Sequence, residues 1–308
     1  MSRAAVGAER GDAVDAEQRN AYPTTPLFAR TVFREFARPL QHPEALCWDP
    51  RTERVYCGGE GGQIYAVTLD GAITEVANTG GSVLGMAVDG AGFVYACDWH
   101  RGEVVRVDPA SGEVTAYTAG APELPIDDPN SPVFADDGTM YVTGSENPAI
   151  FRVAPSGATS VWTTAIGGYP NGVTLTPSGD AVVVAQSHPD DFDGGRVWRV
   201  PIGADGSAGT PEVMAELFHT VPDGVAYDVD GNCYVAHYTP DRIDRIRPDG
   251  SVETVVEDWE AVHLNAPTNI AFCGPDLGLV VAACVGEEFL AIADLGVRGS
   301  PLRRPALG

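Results

Sequence analysis

A unit of about 45 residues recurs six times along this chain, the period of a four-stranded propeller blade. The cleanest copy is Val221 to Val235, VPDGVAYDVDGNCYV. A Pro-Asp-Gly loop opens it, a short apolar strand follows (Val225-Ala226-Tyr227), and Asp228 to Asn232 form a Gly/Asn/Asp turn before a second strand. Such turns tolerate the positive φ that a tight hairpin needs. Second-strand anchors fall at Tyr56, Tyr95, Tyr141, Val183, Tyr234 and Val280, with spacings of 39, 46, 42, 51 and 46 residues by subtraction. A third strand (Glu103 to Val107, Arg242 to Ile246) and a fourth (Ile73 to Val76, Val252 to Val255) complete each unit. The pattern predicts an all-β fold, a six-bladed β-propeller with four-stranded antiparallel blades. More than 40% strand and little helix are expected.

Residues 27–308 are read as one propeller domain and 1–26 as a flexible N-terminal arm. Periodicity leaves Leu27 to Ala37 open between helix and strand. Strand is favoured, because an N-terminal strand pairing into the last blade closes a propeller, near Leu279 to Leu295. The 36 Gly and 24 Pro, spread between short apolar runs, suit the many turns this needs.

A formal charge of −24 disfavours nucleic acid and anionic membrane as partners. No run of about 18 apolar residues occurs. All 19 basic residues are Arg, which removes lysine Schiff-base chemistry and a Walker-type phosphate loop. The six cysteines (Cys47, Cys57, Cys97, Cys233, Cys273, Cys284) form no CxxC or CxxxC pair and sit in apolar runs, so they read as buried, reduced thiols of a cytoplasmic protein.

Counting back 11 or 12 residues from the anchors reaches Glu44, Leu84, Asn130, Asn171, Asp223 and Asn269. Equivalent positions of successive blades ring one end of a propeller axis, so five oxygen-bearing side chains face a common centre. Any one Asn or Asp is as well explained by turn formation; five in one register point to a site. Oxygen-only donors with two carboxylates suit one hard divalent cation, Ca²⁺ first, with Mg²⁺, Mn²⁺ and Zn²⁺ as alternatives. His188 and His237 follow second-strand ends and are candidates for substrate binding or further metal ligation, as are Asn130 and Asn269. No GxSxG or HExxH motif occurs.

Pro43-Glu44-Ala45, Tyr169-Pro170-Asn171-Gly172-Val173 and Pro222-Asp223-Gly224-Val225 resemble the metal-ligand motifs of the senescence marker protein/gluconolactonase/luciferin-regenerating enzyme family, which includes regucalcin. The resemblance spans roughly Glu35 to Leu295. It implies a six-bladed propeller with one divalent cation in its channel, held by Glu44, Asn171 and Asp223, that hydrolyses a lactone. Asn130 would contact metal or substrate. Asp223 would also serve as the catalytic proton acceptor, and the partner would be a small-molecule substrate. Two departures weaken the case for aldonolactones: Asn130 is followed by Ser131, and Asp128 stands where sugar-lactone members tend to carry Arg. Two other readings are a relative recruited to another reaction on a specialised metabolite, and a non-catalytic, metal-stabilised propeller that binds a partner.

Overall fold

A computed structural model describes residues 25–187 and 194–307. Six four-stranded antiparallel sheets follow one another around an axis, and strands make up 52% of the structure against 2% helix. The first blade is Leu46–Asp49, Arg54–Gly58, Gln63–Thr68 and Ile73–Asn78, running from the axis outward. The innermost strands of blades two to six are Val83–Val88, Pro129–Phe134, Tyr169–Leu175, Val221–Tyr227 and Pro267–Cys273. Blade six takes three strands from the C-terminal end and its outermost from the N-terminal end. Arg34–Ala37 pairs antiparallel with Phe289–Ala293, and that pairing closes the ring as expected. Of the strand expected over Leu27 to Ala37 only Arg34–Ala37 forms; Leu27 to Phe33 are bends and a single 3₁₀ turn at Arg30–Val32. Most of the arm expected over 1–26 lies outside the described residues.

The second strands are buried on both faces because each blade packs between two others. Ala181–Ser187, AVVVAQS, is buried throughout, and it reads in sequence as a continuous apolar run for that reason. Fourth strands such as Glu113–Thr118 are mostly exposed or half-buried and face solvent. Six apolar clusters result, one at each junction between neighbouring blades. All six cysteines are buried and unpaired within them, and burial pushes the Cys47 thiol up to about 12.

After the last strand the chain does not leave the domain. Residues 296–307 cross the end of the channel where the innermost strands turn back, and they touch every blade. Val229 N–H donates to Arg298 O (2.9 Å) and Ser300 N–H to Tyr227 O (2.8 Å) in blade five, and Gly299 N–H to Leu277 O (2.9 Å) in blade six. Arg304 reaches Trp48 O of blade one at 2.9 Å, and Gly90 N–H of blade two donates to Pro305 O at 2.9 Å. Arg303 pairs with Asp136 of blade three (3.0 Å) and donates to Pro177 O of blade four (2.8 Å). Leu307 packs with Tyr95 and Phe134. The approach is close: a Cβ on Gly299 would lie 2.2 Å from Phe272 Cβ. Behind this strap is a cavity of about 80 Å³, walled by the innermost strands of all six blades and floored by Ser300, Leu302, Arg303 and Arg304. That volume holds a few water molecules.

Candidate metal centre

The opposite end of the axis carries the ring. Proline precedes the ring residue in five blades: Pro43-Glu44, Pro129-Asn130, Pro170-Asn171, Pro222-Asp223 and Pro267-Thr268. Proline has no N–H for the ladder and holds the preceding chain extended. The strand register shifts just after it, between Pro129 and Pro132, Pro170 and Val173, Pro222 and Val225, and Pro267 and Asn269. A bulge of this kind re-aims a side chain out of the pleat. Glycine next to it lets adjacent blades close up. A Cβ on Gly85 would lie 2.3 Å from Asn130 O, and one on Gly172 would lie 2.2 Å from Asp223 O. Hydroxyls lock the three–four and four–five junctions. Thr143 donates to Asn171 O (2.6 Å), Ser145 to Pro170 O (2.6 Å), and Ser187 to Pro222 O. Gly172→Ala is therefore expected to displace the Asp223 backbone, lowering metal affinity tenfold or more and stability by about 1–3 kcal/mol. Calcium titration and thermal melts check this, and wild-type values in both would contradict it.

Glu44, Asn171 and Asp223 come together. Burial, then the charge of Glu44, pushes the Asp223 carboxyl well above the usual carboxylate range, against a hydrogen bond from Asn171. Glu44, partly exposed, is pushed up to about 8 by burial and by the charges of Asp128 and Glu60. Asn130 and Asn171 are buried beside them. Asn171 Oδ1 has no hydrogen-bond partner, although its amide nitrogen reaches Ser187 Oγ at 3.4 Å. Crowded carboxylates and an unspent amide oxygen are what a hard divalent cation would satisfy, so the donor set fits one. No cluster of three or more His, Cys, Asp or Glu side chains suited to a metal occurs among the described residues. The oxygens here come from two carboxylates and neutral side chains.

Two expected positions sit differently. Asn269 lies one residue past the ring register: it pairs with Ala283, and its Oδ1 accepts from Ile270 N–H at 3.0 Å. Thr268 occupies the ring position instead, 2% exposed, with no partner for its hydroxyl. Counting from Val280 missed it; the proline before it is the signal that finds it. His237 is fully buried inside blade five, opposite Pro222 in the ladder, with Nε2 2.7 Å from Asp244 Oδ2. It stands behind the ring, away from the mouth. His188 lies outside the described residues. Asp128, weighed in the sequence only as a departure, is 1% exposed and close enough for its charge to act on Glu44.

Comparison with known proteins agrees with this architecture. A gluconolactonase of Xanthomonas campestris is 15% identical and superposes with a TM-score of 0.73 over 87% of this chain and 89% of its own. A calcium-binding regucalcin of Agrobacterium tumefaciens gives 17% and 0.71, over 92% of this chain and 100% of that one. A virginiamycin B lyase of Staphylococcus aureus gives 16% and 0.60, over 84% and 98%. In sequence, a 6-deoxy-6-sulfogluconolactonase of Pseudomonas putida is 29% identical over 110 residues, which span 35% of each chain. The family model described as SMP-30/Gluconolactonase/LRE-like region matches residues 17–146 and 143–283. The chain therefore belongs to the SMP-30/gluconolactonase/luciferin-regenerating enzyme family.

Proposed function

We propose that this protein hydrolyses a lactone or related cyclic ester with the help of one divalent cation, Ca²⁺ first among the candidates. The observation that carries the reading is the convergence of Glu44, Asn171 and Asp223 at one end of the channel, with Asn171 Oδ1 unpaired. These three residues would hold the cation, with Asn130 and Thr268 as further oxygen donors at the same level. A bound divalent cation supplies Lewis-acid polarisation of the ester carbonyl. Family membership and the names of its relatives, two of them lactonases, support the reaction class.

The remaining chemistry falls to the chain's own side chains. Asp223, buried at the ring beside Asn171, is the carboxylate placed to act as general base. Asp223 takes a proton from water as the water oxygen bonds to the acyl carbon. The ring C–O bond then breaks, and the proton passes from Asp223 to the departing alkoxide, giving an open hydroxy acid. Asn130, buried at the ring, orients the ring oxygens without competing for the proton.

A panel of sugar lactones, aliphatic lactones and aryl esters, each with and without added Ca²⁺, Mg²⁺, Mn²⁺ or Zn²⁺, tests this. Cation-dependent opening of at least one lactone is expected; no turnover on any would overturn it. The same cation should stabilise the fold by about 2.7 kcal/mol at ~100 times its Kd. Chelator should lower the melting temperature and re-added cation restore it; a melt indifferent to both would count against the site.

A further inference from the structure

Asp128 is a third carboxylate at the ring, beyond the two that the metal reading uses. It stands two residues before Asn130 and is 1% exposed. Its Oδ2 accepts a hydrogen bond from the Tyr169 hydroxyl at 3.1 Å, while Oδ1 has no hydrogen-bond partner. Among the described residues no arginine pairs with it. A buried carboxylate with one unpaired oxygen is costly unless something completes it. The charge of Asp128 acts on Glu44, and that of Glu44 acts on Asp223. A divalent cation balances two of those charges and leaves one.

We propose that Asp128, oriented by Tyr169, is a specificity-determining residue that binds a protonated amine on the substrate, so that the preferred substrate is a lactone carrying a cationic amino group. The inference rests on the metal-dependent lactonase reading and adds the substrate class. An ammonium group both fills the open Oδ1 and balances the remaining charge, whereas a neutral apolar substituent would bury the carboxylate uncompensated. A site built around such a group rejects an isostere that lacks it. The surplus of acidic residues over the whole chain favours approach of a cation in the same sense.

The test pairs α-aminomethyl-γ-butyrolactone with α-ethyl-γ-butyrolactone, which match in size and differ in charge. Wild-type protein with Ca²⁺ should favour the amine in kcat/KM by ~10-fold or more, and Asp128→Asn should bring the ratio to within about threefold of unity. Asparagine keeps the size and the acceptor for Tyr169. Binding is read separately, by the melting shift of the Ca²⁺-loaded protein with the unreactive ring ethers aminomethyl-tetrahydrofuran and ethyl-tetrahydrofuran. Only the amine should shift the wild type, and neither should shift Asp128→Asn. Equal handling of the two lactones by the wild type would overturn the proposal and leave the lactonase reading intact. No hydrolysis of either lactone or of any compound in the panel above, with the amine-specific melting shift retained, would overturn the lactonase reading and support the amine subsite. A calcium affinity reduced in Asp128→Asn as far as in Asp223→Asn would make Asp128 a metal ligand and also overturn it.

Discussion

Asp223→Asn is expected to lower turnover by roughly 10²-fold or more, and excess metal should not restore it. The substitution keeps the side chain's size and one carbonyl oxygen and removes its charge and basicity. Glu44 would then be the only carboxylate among the three proposed ligands, so metal affinity should fall as well. Mass action makes up for weak binding, but it cannot replace a missing proton acceptor. Asn171→Ala serves as the control, since it removes one neutral donor and should regain much of its activity at high metal. Hydrolysis measured across a metal titration for wild type and both variants separates the two roles. Full rescue of Asp223→Asn would leave the ligand role and remove the base.

Ending the chain at Leu295 is expected to have the second large effect, on stability and on access from the strapped end. The truncation removes the hydrogen bonds that tie residues 298–305 to six blades, and it uncovers the apolar surface under Leu307. At about 1 kcal/mol per net hydrogen bond, with some 2 kcal/mol for the buried leucine, the loss should exceed about 4 kcal/mol. A melting temperature lower by roughly 10 °C follows. Cys47 lines the cavity that the strap floors. Intact protein should show no thiol reacting rapidly with a small reagent, and the truncated chain should show one, absent when Cys47→Ser is added. A truncated protein with unchanged melting and no new thiol would mean that the strap neither braces the ring nor seals it.

The architecture was legible in the sequence because blades repeat. Each Gly/Asp turn and each apolar second strand, such as Ala181 to Ala185 (AVVVA) in blade four, is set by local geometry that recurs at a fixed period. Four of the five oxygen-bearing ring positions were legible for the same reason, and a proline stands before each. Thr268 was missed because blade six carries one more residue between its ring position and the partner of its anchor. A count from Val280 therefore lands on Asn269. Asp128 was legible only as a departure from the family pattern, because the unpaired state of its Oδ1 depends on the fold around it. The strap was invisible for a related reason: residues 296–307 have no periodicity, and most of their bonds go to backbone groups in the turns of distant blades.

The central claim is that the oxygen ring holds one divalent cation on which lactone opening depends. The most direct measurement follows bound metal and lactone turnover together in the same samples as free Ca²⁺ is raised from chelator-buffered levels. One ion per chain should bind, and turnover should climb from near zero in step with occupancy. In a Glu44→Gln, Asp223→Asn double variant that keeps its β-sheet circular dichroism, both signals should be lost. Lactone opening at full rate in chelator, or one ion per chain still bound by the double variant, would contradict the account.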